Sequence, residues 1–142
     1  MDESPSIPPT EIVKLMLKND PFSRWMGIEI LEVEEGFCKI GCSVKDQMLN
    51  GFSVTHGGII FALADSALAF SSATYGRVSL AIDNSISFAR KTSSGDRLIA
   101  TSKCLNLTHK TGIFDVNVFN GDEELIASMK GTVYRTKEEF TL

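Results

Sequence analysis

The apolar positions of this chain change their period more than once. Over TEIVKLMLKND, residues 10–20, Ile12, Leu15 and Met16 recur at helical spacing, predicting a short helix that Thr10 caps and Pro21 stops. PFSRWMG adds a second helical turn that ends at Gly27. GIEILEVEE and GFCKIGCSV then take on strand character and are separated at Glu35-Gly36 by a tight turn, so they are expected to form a hairpin. Residues 1–9 are expected to be a flexible lead-in, because SPSIPP propagates neither a helix nor a ladder.

The stretch from Gly57 to about Thr74 is too long for one strand and is rich in Ala, Leu, Ile and Phe. It predicts a helix of about five turns at ~3.6 residues per turn. Ala62, Ala64, Ser66, Ala67, Ala69, Ser71, Ser72 and Ala73 make it small-residue and apolar nearly all round, the pattern of a central, buried helix. After Gly76 come four strand-like runs, SLAIDNSISFAR, DRLIATSKCLNL, GIFDVNVFN and ELIASMKGTVYRT, punctuated by SSGD, THKTG and NGDEE. Short hairpin links are expected among them. An antiparallel sheet curled around one central helix satisfies every element, which makes the fold class α+β and residues 10–142 a single domain.

Composition narrows the function classes. With 142 residues, 43% hydrophobic and 23% charged, the chain matches a globular domain with a substantial core. Its net charge of −4 argues against nucleic acid as the main partner. Cys38, Cys42 and Cys104 form no CxxC pair and fit buried thiols in a reducing compartment; with two histidines they make no convincing metal set. The acidic, proline-bearing start does not resemble a secretory signal, and the longest apolar run is far short of the ~20 residues a membrane helix needs. A cytoplasmic protein without a membrane partner is the expectation.

The chemistry concentrates in NGFSVTHGGIIFALADSALAFSSATYG, residues 50–76. Gly57 and Gly58 open the helix, where free N–H groups and the positive dipole end make a place for an oxyanion, or simply let the helix enter tightly. Asp65 is the sole charged side chain between Gly57 and Gly76. A buried carboxylate is costly unless paired or protonated, so it is either a general base or the partner of a buried polar group. Asp65 follows Gly57 by eight residues, about 12 Å of helical rise. A base and an oxyanion donor serving one carbonyl must lie much closer, so joint action requires Gly57 of one subunit to meet Asp65 of another across a twofold interface. Asn50 can donate to the same oxygen as the Gly57 N–H, and His56 can support the loop.

Taken together, N-G-F-x-V-x-H-G-G-x-x-F-A-L-A-D resembles the signature of the hotdog-fold acyl-CoA thioesterases of the phenylacetic acid degradation type. The similarity runs from PFSRWMGIEI through IDNSISFARKTSSGDRLIATSKC and HKTGIFDVNVFN to the closing strand. It implies a long helix wrapped by an antiparallel sheet, dimers with shared sites, often tetramers, and hydrolysis of an aromatic or medium-chain acyl-CoA without a cofactor. By this resemblance Asp65 activates water or attacks the carbonyl, Gly57 N–H and Asn50 polarise it, His56 supports the loop, and the carboxylate comes from the neighbouring subunit.

The polyanionic coenzyme needs basic loops, for which the candidates are Arg90-Lys91 and His109-Lys110-Thr111, with Gly58 beside the oxyanion donor. Two positions depart from the family pattern. Ala81 stands where some relatives have a water-holding Ser, with Ser79 and Ser85 as substitutes, and Lys91 stands where many have Pro. Two other functions remain open to a hotdog chain. One is a non-catalytic acyl-CoA-binding module, although the helix at 10–20 is too small for a DNA-reading motif. The other is a dehydratase, which wants a His paired with a carboxylate.

Overall fold

The computed structural model describes residues 7–141. Two short helices, α1 (Pro9–Lys18) and α2 (Pro21–Met26), precede the hairpin of β1 (Glu29–Glu34) and β2 (Phe37–Ser43). A 3-10 turn (Asp46–Met48) leads to the long helix α3 (Gly57–Ala73), followed by β3 (Arg77–Phe88), β4 (Arg97–Leu107), β5 (Thr111–Asn120) and β6 (Leu125–Glu139). The flexible lead-in expected over residues 1–9 falls mostly outside the described residues. Within them, Ile7 is buried with Ile12 and Ala73, and Pro9 already opens α1. Thr10 is therefore inside the helix and caps nothing; Pro8 holds the cap position without a side-chain bond. Proline suits that entry because its fixed φ is already helical.

The six strands form one antiparallel sheet in the order β1-β2-β4-β5-β6-β3. The hairpin at Glu35-Gly36 is present, with Gly36 at φ 78, a backbone region that favours glycine. The link from β3 to β4 is not the hairpin the sequence pattern suggested. Strand β3 pairs with β6 instead, so the chain crosses the sheet after Phe88 and leaves β3 as an edge. Turn-forming residues mark where a strand ends but carry no information on which strand it joins.

Helix α3 lies against β2 through β6. Its Leu63, Ala64, Ala67 and Leu68 are fully buried against inward positions such as Cys38, Ile40, Leu98, Ala100, Phe114, Val116 and Met129. Strand β5 shows the cause in its alternation: Gly112, Phe114, Val116 and Val118 face the helix, while their neighbours are only half covered. The Ser71 hydroxyl meets that of Ser102 on β4 at 2.6 Å, and Thr74 Oγ1 accepts the Gly36 N–H at 2.7 Å. Polar groups thus fix the C-terminal end of an otherwise apolar helix. Burial pushes the Cys38 thiol up to about 12 and the Cys42 thiol up to about 11, so both stay protonated near neutrality. No helix among the described residues is long and apolar enough to cross a membrane.

The helix is not covered all round within one protomer. Ala62, Asp65, Ser66 and Ala69 remain half exposed along one side. On the sheet, Gly131 of β6 permits the closest approach: a Cβ there would come within 2.6 Å of Leu68 and 2.7 Å of Asn84 Oδ1.

Two outcomes follow for stability. Gly131→Ala is expected to lower the unfolding free energy by about 1–3 kcal/mol, the scale of overpacking, in urea denaturation; an unchanged midpoint would contradict the close approach. His56 caps α3, its Nδ1 accepting the Gly58 N–H at 2.8 Å. His56→Ala should cost about 0.5–2 kcal/mol, the range for losing an N-cap, and a melting temperature equal to the parent's would rule the cap out.

Candidate active site

The loop before α3 is built from its own side chains. Asn50 Oδ1 accepts the Phe52 N–H at 2.8 Å and the Val54 N–H at 3.4 Å, while Asn50 N–H donates to the Val54 carbonyl at 2.8 Å. Because backbone N–H groups hold its oxygen, the Asn50 amide keeps its NH₂ as a donor without a partner among the described residues. Thr55 and Thr92 join the loop to the segment after β3 through a 2.7 Å hydroxyl contact and the Thr55 N–H to Thr92 carbonyl bond at 2.8 Å.

The two glycines are not equivalent. The Gly58 N–H is taken by His56 Nδ1, and a Cβ at Gly58 would sit 3.0 Å from that nitrogen. Both helix-opening N–H groups were expected to be free of side-chain cover, and this holds for Gly57 only. The Gly57 N–H has no partner among the described residues and keeps the positive end of the α3 dipole open. The Phe88 ring lies alongside it, 3.4 Å from where a Gly57 Cβ would be.

Two turns further on, Asp65 is half exposed rather than buried, on the side of α3 that the protomer leaves partly open. Its Oδ1 accepts the Asn84 Nδ2–H at 3.0 Å, and its other oxygen is free among the described residues. The sequence left the identity of any polar partner of Asp65 open. Asn84 was missed, although its place in the alternation of Asn84, Ile86 and Phe88 put it on the inward face of β3. The proposed substitutes for Ala81 do not reach the carboxylate. Ser85 faces away from Asn84's side of the strand, and the Ser79 hydroxyl donates to the Arg77 carbonyl at 3.4 Å.

Beside Asp65 a cleft of about 300 Å³ opens between α1, α2 and α3, lined by Met16, Phe22, Ala62, Ala69 and Phe70 with Asp20, Ser23 and Ser66. Its polar members are already connected: Ser23 donates to Asp20 Oδ2 at 2.7 Å and meets the Ser66 hydroxyl at 3.0 Å. A second hollow of about 290 Å³ lies at the other end of the helix, lined by Thr55, Gly57, Ile60, Phe88, Ala89, Arg90 and Lys91.

The basic candidates are thereby divided. Arg90 and Lys91 border the Gly57 hollow; Arg90 contacts Glu124 at 3.4 Å across the surface, a weak exposed pair. The turn of His109-Lys110-Thr111 is anchored through its backbone, with the Arg77 guanidinium donating to the His109 carbonyl at 2.6 Å. Arg77 opens β3 and Phe88 closes it, so the two basic segments lie roughly 35 Å apart at ~3.3 Å of strand rise per residue. One protomer brings Asn50, His56, Gly57, Gly58, Arg90 and Lys91 together at one end of α3. Asp65 with Asn84 stands in the middle, and His109, Lys110 and Thr111 stand at the far end.

Comparison with known proteins agrees with this architecture. The family model of the thioesterase superfamily matches residues 52–127, just over half of the chain. An Archaeoglobus fulgidus protein assigned only provisionally as an esterase is 43% identical over 125 residues, covering 88% of this chain and 81% of that one. The Escherichia coli acyl-coenzyme A thioesterase PaaI is 34% identical over 120 residues, 84% of this chain and 86% of its own. The solved structure of the E. coli PaaI protein, from the phenylacetic acid degradation operon, superposes with a TM-score of 0.91 at 32% identity, covering 94% of this chain and 96% of that one. A Streptococcus mutans protein solved with acetyl-CoA has a TM-score of 0.77 at 26% identity, over 80% of this chain and 91% of its own. The chain belongs to the thioesterase superfamily, as a hotdog-fold thioester hydrolase of the PaaI-like kind.

Proposed function

We propose that the chain hydrolyses an aromatic, phenylacetyl-like acyl-CoA to the free acid and coenzyme A, in sites shared between two copies. The observation that carries this is the pairing, on one helix, of an unpartnered N–H at Gly57 with a carboxylate at Asp65 that keeps one oxygen free. Separated by about 12 Å of rise, they can serve one carbonyl only if two α3 helices run antiparallel, with a dyad level with Phe61, midway between them.

Strand β3 supports that assembly. It is a twelve-residue edge without proline, and it exposes Leu80 by 58%, Ile82 by 60% and Phe88 by 52%. Such an edge is a template for a second strand. Antiparallel pairing of two β3 strands sets the His109-Lys110-Thr111 end of one copy beside the Arg90-Lys91 end of the other. Basic groups that are distant in one chain then border one site, where they suit the coenzyme's phosphates.

In this site the thioester oxygen accepts hydrogen bonds from Gly57 N–H and Asn50 Nδ2. Asp65 of the second copy takes a proton from water as its oxygen bonds to the carbonyl carbon. The tetrahedral intermediate collapses with cleavage of the C–S bond, and the departing sulfur takes up a proton as the coenzyme leaves. The cleft of Phe22, Phe70 and Met16 beside Asp65 supports an apolar acyl group, and the E. coli relative's operon supports an aromatic one. His56 is committed to the helix cap through Nδ1, which disfavours the dehydratase alternative.

Thiol release should be measured across phenylacetyl-, benzoyl-, hexanoyl- and octanoyl-CoA. The aromatic thioesters are expected to give the highest kcat/KM, and a preference for octanoyl-CoA would assign the medium-chain substrate instead. Asp65→Asn is expected to lower kcat by about 10² to 10⁴, the scale of losing general-base help, with the assembly intact. Parent-like turnover by that variant would sink the assignment of Asp65.

A further inference from the structure

Asn84 is a poor choice for the middle of a strand on grounds of packing alone. Asparagine is depleted in strands, and this one lies opposite Gly131, on the same strand face as Ile86 and close to where Leu68 packs. Its Nδ2 faces Asp65 Oδ1 because two acceptor oxygens in that contact would repel, and this turns Asn84 Oδ1 toward Gly131. There the oxygen is buried without a hydrogen-bond partner among the described residues. Leaving a buried acceptor unpaired is unfavourable, and an apolar side chain of similar size would avoid the penalty. Gly131 opposite is also required, since a Cβ would lie 2.7 Å from that oxygen. Two positions thus give up local stability to keep one donor aimed at one carboxylate oxygen.

We propose that Asn84 is the positioning residue for Asp65. This inference rests on the assignment of Asp65 as the general base. By engaging Oδ1, the amide fixes the rotation of the carboxylate and leaves the second oxygen to meet the water. The donor comes from the sheet beneath the helix, so the base is referenced to the rigid part of the protomer even though the carbonyl it serves is polarised by another copy. Asn84 touches neither water nor substrate in this arrangement and acts only through Asp65.

The test is a double-mutant cycle on the thioester the parent enzyme hydrolyses best. Asn84→Ala is expected to lower kcat by roughly 10- to 100-fold, the scale of misplacing a catalytic group, with KM within about twofold of the parent. In an Asp65→Ala background the same change should alter the residual rate by less than about twofold, since the group it positions is gone. Asn84→Val, which suits a strand and carries no donor, should reproduce both results if the alanine variant folds poorly. An equal loss in both backgrounds, an unchanged kcat, or a raised KM at constant kcat would each overturn the inference. Failure of the acyl-CoA assignment is a separate result, seen as no thiol release by the parent enzyme, and it would overturn this inference as well.

Discussion

The rise of an α-helix is the constraint on which the rest depends. At ~1.5 Å per residue, the free N–H of Gly57 and the carboxylate of Asp65 stand about 12 Å apart on the same rigid rod, and no loop movement can close that gap. In the proposed function a folded protomer is therefore half of two sites rather than the whole of one. Features that look unfinished in isolation agree with that proposal: a helix side left half covered at Ala62, Asp65, Ser66 and Ala69, an unpaired edge at β3, and basic turns at opposite ends of the sheet.

In the proposed site the same helix separates two kinds of electrostatic work. At its N-terminus the backbone supplies the donor, and His56 takes up the Gly58 N–H so that the one left open is Gly57. Eight residues on, the working group is a side chain, whose direction must be set by something outside the helix. In the role proposed for it, Asn84 meets that need from β3, at the expense of its own buried oxygen. Gly131 on β6 serves the same contact, since a Cβ there would crowd both Leu68 of α3 and the Asn84 oxygen.

Much of this was legible in the sequence because it is local. The period of the apolar residues marked every helix and strand, and the glycines and the lone carboxylate in residues 57–76 marked the candidate site. What escaped depended on pairings between distant segments. The crossover after Phe88 was read as a hairpin because turn composition does not specify a partner strand. Asn84 was passed over because its meaning comes from a neighbour nineteen residues away on another element. Thr10 satisfied the residue preference for a cap, but Pro8-Pro9 preset the helix entry before it. The exposure of Asp65 could not be judged from the apolar pattern, because small apolar residues such as Ala62 and Ala69 also line the side of α3 that the sheet leaves half exposed.

Division of each site between two copies is tested most directly by subunit complementation. One chain carries Asp65→Asn, the other carries Asn50→Ala, and each alone is expected to be severely impaired. Co-folded, a mixed dimer holds one site with both lesions and one with neither, so about half of the parent activity per mixed dimer should return, the intact site having Asn50 and Gly57 from the first chain and Asp65 from the second. Mixed dimers no more active than the two impaired homo-oligomers would contradict the account, because that result means base and oxyanion donors act within a single chain.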